Sequence, residues 1–216
     1  MSHDPIKGVD VASLQGTINW SIVKSSTDIK FGITRVSRGL AEVDTAAQAN
    51  YAGMYQNAIL PGTYHRAFVE MGSPEKQALH FATQFARVTF KGDMMLPPAL
   101  DYEDQKPGQE FCQRFIDAFR GYTGVEDMMI YTSGSFVETW LGGESWMDNK
   151  IHLWIADYGT FTGATPGFPK YKTDRVYIHQ YSASLKLGAN GIPGNSSGNT
   201  DGDVSTKNLH EIAIRR

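Results

Sequence analysis

Short apolar runs alternate with amphipathic stripes along almost the whole chain, and this alternation limits the possible folds more than any other feature of the sequence. The runs "KGVDV", "KFGITRV", "LPGTYH", "LPPALDYE", "DMMIYT", "IHLWIAD" and "RVYIHQY" have the length and apolar content of buried parallel strands. Between them, three sets keep the three-four spacing of one helix face: Ala47, Tyr51, Met54, Tyr55 and Ala58; Ala78, Phe81, Ala82 and Phe85; and Phe111, Phe115, Ala118, Phe119 and Tyr122. Ser73 before Pro74 reads as an N-cap with a proline in the first helical position, and Ser135 with Glu138 has capping-box spacing at the head of a shorter helix. Strand, crossover helix and strand in succession give an α/β chain with a parallel sheet and helices outside it. An open doubly wound sheet and a closed barrel both satisfy that pattern. Two observations favour an irregular (β/α) TIM-like barrel: about eight strand candidates once the stretch near Asp201 is counted, and no GxGxxG fingerprint in "GVDVASLQG" after the first run. The C-terminal third should hold fewer helices, because "YGTFTGATPGFPKYKTD" carries Gly and Pro throughout and reads as a loop or hairpin.

The chain has 216 residues with 41% hydrophobic content, enough to bury one sizeable core, and no linker divides it. A formal charge of −3 without a dense Lys/Arg cluster argues against nucleic acid as partner, and no apolar run reaches the length of a membrane span, so no membrane insertion is expected. The single Cys112 excludes an internal disulfide and a cysteine-based zinc cluster, and its place beside a helical stripe makes it a core residue. The start "MSHDPIKGVD" lacks the pattern of a signal peptide, so any export is expected to need help from outside this sequence.

Polar residues interrupt the apolar runs near their ends: Asp10, Arg35, Tyr64 with His65, Asp101 with Glu103, Tyr131, Asp157, Gln180 and Asp201. In a parallel barrel the C-terminal strand ends share one face, so residues remote in sequence would meet there. Within "LPPALDYEDQ" an extended backbone turns Asp101 and Glu103 to one side, alpha carbons about 6.6 Å apart, with Tyr102 facing away. That span suits two carboxyls acting on one bond, one protonated and one ionised, with the longer Glu103 reaching a leaving-group oxygen. Asp104 continues the alternation away from the pair and reads as a solvated loop acid, and Pro97 and Pro98 place the start of the regular ladder near Ala99. A rival reading makes Asp10, Asp101, Glu103 and Asp201 oxygen ligands of magnesium or calcium. Against it stand Tyr64, Tyr131, Trp154, Tyr158 and Tyr181, which look like stacking platforms and hydroxyl donors for a neutral sugar, although each alone could equally be core or rim. Arg35 reads first as an ordinary ion pair, and His65 as either a base or a hydrogen-bonded core histidine.

The ordered blocks "GVDVASLQGTINW", "FGITRVSRG", "PGTYHRAF", "LPPALDYE", "IYTSGSF", "LWIADYG", "IHQYSA" and "GNTDGDV" resemble the family 25 glycoside hydrolases, the Chalaropsis-type lysozymes of phages, bacteria and fungi. The resemblance implies an N-acetylmuramidase acting on peptidoglycan glycan strands at the cell wall, without a cofactor, as a monomer. With no dividing linker and no cell-wall-binding repeat in the sequence, the expectation is a single catalytic domain over residues 1–216 with no separate cell-wall-binding domain, or one whose targeting lies elsewhere. By matching motif, Glu103 falls on the general acid and Asp101 on the carboxylate that stabilises positive charge or an oxazolinium ion formed by the substrate's acetamido group. Asp10 and Asp201 fall on acids lining the same cleft. Tyr131 falls beside the reacting sugar, and Tyr64, Trp154, Asp157, Gln180, Tyr181 and Arg35 are further substrate-binding candidates. The family has been argued as inverting and as retaining, and substrate assistance with retention is favoured. The chain departs from the family where "NTDGDVS" replaces a "VDLN"-like ending, which makes Asp203 a competitor of Asp201. A catalytically silent glycan-binding barrel and a carboxylate-metal hydrolase remain the alternatives.

Overall fold

The structure, a computed structural model, describes residues 5–158, 170–205 and 207–216. Eight strands close into a barrel: β1 (Ile6–Val11), β2 (Phe31–Arg38), β3 (Leu60–Arg66), β4 (Ala99–Asp101), β5 (Met128–Ser133), β6 (Ile151–Ala156), β7 (Val176–Leu185) and β8 (Thr200–Ser205). The first seven run parallel to their neighbours, and β1 pairs with β2 from Gly8 opposite Phe31 to Val11 opposite Thr34. Strand β8 runs antiparallel to both β7 and β1 and so seals the barrel in reverse. The chain from β7 to β8 holds one 3-10 turn, Gly188–Asn190, and no α-helix. A connection without a crossover helix returns the chain antiparallel, which is why the eighth strand is inverted.

The described α-helices are α1 (Trp20–Ser26), α2 (Ala47–Gln56), α3 (Pro74–Val88), α4 (Gln109–Thr123), α5 (Gly134–Thr139) and α6 (Leu209–Ile212), and two-residue strands Glu42–Val43, Met94–Met95 and Ile214–Arg215 lie outside the eight-strand barrel. The α3 start follows the sequence expectation, with Ser73 Oγ accepting from the Lys76 amide. The α5 start does not. Its cap is Ser133, the last residue of β5, whose Oγ accepts from the Phe136 amide at 3.3 Å, so strand passes into helix two residues before Ser135. The α2 stripe also stops short, since Ala58 lies beyond Gln56 with φ 52°. Residues 159–169, the middle of the expected loop or hairpin between β6 and β7, lie outside the described residues.

Strand alternation divides the interior into two main layers. Phe31, Ile33, Tyr64, Ala99, Met129, Trp154 and Ile178 fill the barrel. On the outside, Leu100, Tyr102 and Ile130 pack against an aromatic seam of Phe81, Phe85, Phe111, Phe115 and Phe119 from α3 and α4. His65 joins this outer layer, fully buried, with Nδ1 2.8 Å from Ser37 Oγ and its ring 5.4 and 5.6 Å from those of Phe115 and Phe81. Burial pushes its pKa down to about 3, so it is a neutral core histidine and no base for the cleft. Cys112 is fully buried in the same layer.

The Phe81 and Phe119 rings stack at 4.6 Å, both fully buried. Phe81→Ala should cost about 3–5 kcal/mol by emptying that seam. In urea unfolding the midpoint is expected to drop sharply with an unchanged slope, and an unchanged midpoint would contradict this account of the α3–α4 layer.

Candidate active site

Asp10, Tyr64, Asp101, Glu103, Tyr131, Trp154, Tyr158, Gln180 and Asp201 line one cavity of about 150 Å³ at the C-terminal ends of the parallel strands. This is less than a cleft for an entire drug-sized ligand, and matches a piece of a longer one. Register builds the site. Asp10 on β1 stands opposite Asp201 on β8, Asp101 on β4 is flanked by Arg66 of β3 and Tyr131 of β5, and Tyr131 is opposite Trp154 of β6. The inverted β8 brings Asp201 to this face from the start of its strand rather than its end.

The period of two sorts neighbours in "LDYE": Ala99 and Asp101 face the barrel interior while Leu100 and Tyr102 face the helices. Asp101 is buried, whereas the Glu103 side chain, just past the end of β4, is 50% exposed at the cavity mouth. One guanidinium nitrogen joins them: Arg66 Nη1 lies 2.8 Å from Asp101 Oδ1 and 2.8 Å from Glu103 Oε1. Asp104 departs from the reading as a free loop acid, since its Oδ2 accepts from the Val69 amide at 2.7 Å and so ties the segment after β4 to the segment after β3.

Across the cavity, Gln180 organises the polar wall. Its Nε2 donates to Asp10 Oδ2 at 2.6 Å, and its Oε1 accepts from the Tyr131 hydroxyl at 2.7 Å and from the Tyr158 hydroxyl. Trp154 stands edge-on to Tyr131 and Tyr64, with ring centroids 4.6 and 5.9 Å away, and its Nε1 donates to Asp203 Oδ1 at 2.8 Å. Asp203 is fully buried beyond the lining, and its carboxyl also interacts with that of Asp10. Of the two competing acids, Asp201 therefore lines the cavity and Asp203 braces its floor.

The carboxyls fall into two electrostatic groups. Burial pushes Asp101 well above the usual carboxylate range, with the Arg66 guanidinium pulling it down and Glu103 pushing it up. Asp10 is also held well above that range, by burial and then by the Asp203 and Asp201 charges, against the Gln180 hydrogen bond. Burial raises Asp201 to about 6 and Asp203 to about 8. No lysine or arginine among the described residues forms an ion pair with these three acids. Facing carboxyls without a counter-ion hold their protons to higher pH than free ones, Asp10 and Asp203 more than Asp201, so the first two can donate as well as accept hydrogen bonds near neutral pH. Burial also raises the phenols of Tyr64 and Tyr131, which stay neutral hydroxyls.

Three sequence candidates stand outside this lining. Tyr181 follows Gln180 by one residue, so alternation turns it outward, where it packs against Gly202. Arg35 is in register with Tyr64 but turns to Asp44, with Nε and Nη2 at 3.0 and 2.9 Å from Oδ2, as the ion-pair reading expects. Asp157 lines a neighbouring depression of about 560 Å³ with Ser133, Glu138, Tyr158 and Lys170, and its Oδ2 accepts from the Lys170 amide at 2.8 Å. Arg66 is the contact missed from sequence; the signal was its spacing of two from Tyr64, which puts both side chains on one face. Among the described residues, no three His, Cys, Asp or Glu side chains are placed to hold a metal ion.

The family model for glycosyl hydrolases family 25 matches residues 9–189. Lysozyme M1 of Streptomyces globisporus is 30% identical over 222 residues, covering 97% of this chain and 69% of that protein. An autolytic lysozyme of Clostridium acetobutylicum is 26% identical over 197 residues, covering 88% of this chain and 54% of its own length, so the chain spans about half of that relative. Among solved structures, a bacterial lysozyme from Streptomyces coelicolor superposes with a TM-score of 0.75 at 27% identity, covering 98% of this chain and 96% of that one. The extent of the family match, together with the closed barrel and its carboxyl-lined mouth, shows that the chain belongs to family 25 of the glycosyl hydrolases.

Proposed function

We propose that this chain is a muramidase, hydrolysing the β-1,4 bond between N-acetylmuramic acid and N-acetylglucosamine in the glycan strands of peptidoglycan, outside the cytoplasm where that polymer lies. The observation that carries the reading is the Asp101–Glu103 pair: two carboxyls of unequal burial at the mouth of a cavity walled by tyrosine, tryptophan, glutamine and two further acids. Those walls suit a hydroxyl-rich, uncharged ring.

In this mechanism Glu103, the longer and more exposed acid, gives its proton to the glycosidic oxygen as the bond to the anomeric carbon breaks. Asp101, fixed below it, accepts the N–H of the substrate's acetamido group, whose carbonyl oxygen attacks the anomeric carbon to give an oxazolinium ion. Water then attacks that carbon, and Glu103 takes the proton it lost, restoring the enzyme. Two inversions amount to retention. The geometry favours this route: oxygens that share one nitrogen at 2.8 Å each lie no more than twice that distance apart. Inverting enzymes hold their carboxyls about 6.5–9.5 Å apart to seat a water between them. Tyr131, held by Gln180, presents its hydroxyl to the reacting sugar, and Asp10 and Asp201 hydrogen-bond its neighbouring polar groups. Asp203 acts through Trp154, whose indole it anchors.

Two outcomes follow. Glu103→Gln should lose about 10²- to 10⁴-fold of the rate at which purified cell walls clear and release new reducing ends. An inactive wild type, or an undiminished variant, would sink the reading. The second concerns stability. Acids whose folded pKa exceeds the unfolded value stabilise the fold at low pH and lose that contribution as pH rises through the folded value. Asp203, raised from the ordinary carboxylate value to about 8, should therefore make the melting temperature fall progressively from about pH 4, where the unfolded carboxyl ionises, to about pH 8, with Asp10 acting in the same direction. Asp203→Asn keeps the acceptor for Trp154 and removes one titrating group, so its decline should be shallower and its melting temperature at pH 9 higher than wild type. An equal or steeper decline contradicts the assignment of those charges.

A further inference from the structure

Arg66 is the one lysine or arginine among the described residues that pairs with a carboxylate of the cavity lining, and it is itself firmly held. Its strand position is opposite Asp101, and the next amide, that of Ala67, donates to the Asp101 carbonyl at 3.0 Å. Its own carbonyl accepts from the Gly39 amide at 2.9 Å. The guanidinium lies 5.1 Å from the centre of the Phe68 ring, with Arg38 at 4.9 Å from the same ring, and Gln77 clamps the Phe68 backbone through its amide and carbonyl. A side chain so fixed, with 19% of its surface exposed, is no casual surface counter-ion.

We propose that Arg66 is a positioning residue for the hydrolysis: its shared nitrogen sets the spacing of Asp101 and Glu103, holds a positive charge against Asp101, and releases Glu103 to the leaving oxygen. The inference rests on the roles proposed for those two acids. Arg66 is the positive group facing Asp101; the others are Glu103 from its own segment, Tyr64 from β3 and Tyr131 from β5, with Asp10 and Asp201 across the cavity. The guanidinium is what opposes burial and those neighbours; without it Asp101 holds its proton still more firmly, and a neutral acid cannot offset the positive charge of an oxazolinium ion. Glu103 is bound to Arg66 from its exposed side, so it can leave when protonated to meet the glycosidic oxygen. Once its proton has passed to that oxygen, the new carboxylate returns to the same nitrogen. It stays there until it takes a proton from the attacking water.

The test compares Arg66→Gln and Arg66→Lys with wild type in two measurements: the pH dependence of kcat and KM on purified cell walls, and the carboxyl-carbon NMR titration of Asp101. Arg66→Gln should lose about 10²-fold in kcat with KM little changed. Its acid limb should move up by about 1–3 pH units, because Asp101 has lost its opposite charge. Arg66→Lys should bring the limb back towards wild type with only part of the rate. A structural ion pair would lower the melting temperature and leave kcat and the limb in place, and that result overturns the proposal. So does an Asp101 titration unmoved in Arg66→Gln, or, should that variant not fold, a wild-type rate in Arg66→Lys. If wild type itself releases no reducing ends, the muramidase reading fails by itself, while the Asp101 titration still decides whether Arg66 sets that charge.

Discussion

Closure of the barrel by the inverted strand β8 is the constraint from which the site follows. A parallel eighth strand would bring its C-terminal end to the active face, and the Asp201 segment would lie at the opposite end. Because β8 runs antiparallel between β7 and β1, its first residues meet the last residues of both, and Asp201 lands opposite Asp10 with Gln180 beside them. The same closure removes the two edges that an open sheet of this length would leave unpaired. Gly202 makes the inversion fit: the register with β7 shifts on either side of it, and a Cβ there would collide with Leu185. The cavity lining is thus completed by one short strand whose direction is set by a connection too poor in helix to cross over.

Around that face the charge is distributed unevenly, and the unevenness has chemical meaning. On the β3–β4 side a single guanidinium compensates two carboxyls and fixes their spacing. On the β1–β7–β8 side three carboxyls share no lysine or arginine among the described residues, and Asp10 and Asp203 hold their protons well above the usual carboxylate range. In the proposed mechanism a sugar ring between them would meet a carboxyl pair able to exchange a proton and answer a developing positive charge, and opposite it buried acids, an amide and phenols suited to hydroxyls. The division follows from burial, since removing like charges from water without a partner is costly enough to neutralise them.

Much of this was legible in the sequence where a short-range rule governs. The period of two separated Asp101 from Tyr102, and the Pro97–Pro98 pair marked the ladder start at Ala99, because both effects act within a few residues. The same rule, applied to Gln180 and Tyr181, shows that adjacent residues of one strand cannot both face the cavity. What the sequence did not carry was depth and partnership. Asp201 and Asp203 share a face and differ only in lying before or behind Trp154, a residue 49 positions away from Asp203. Arg35 and Arg66 stand on neighbouring strands, and the two diverge because Asp44 waits for one and the Asp101–Glu103 pair for the other, partners that no local spacing reveals. The direction of β8 was equally hidden, since apolar patterning says nothing about which way a strand runs.

The most direct measurement is the identity of the new reducing end. Purified peptidoglycan digested to completion, reduced with borohydride and analysed by mass spectrometry after acid hydrolysis should yield muramitol in proportion to the bonds cut. Glucosaminitol in its place would show that the cavity binds the strand in the other phase, and the absence of either would show a barrel that holds glycan without cutting it. Both results contradict the assignment of Glu103 and Asp101 to the bond that follows N-acetylmuramic acid.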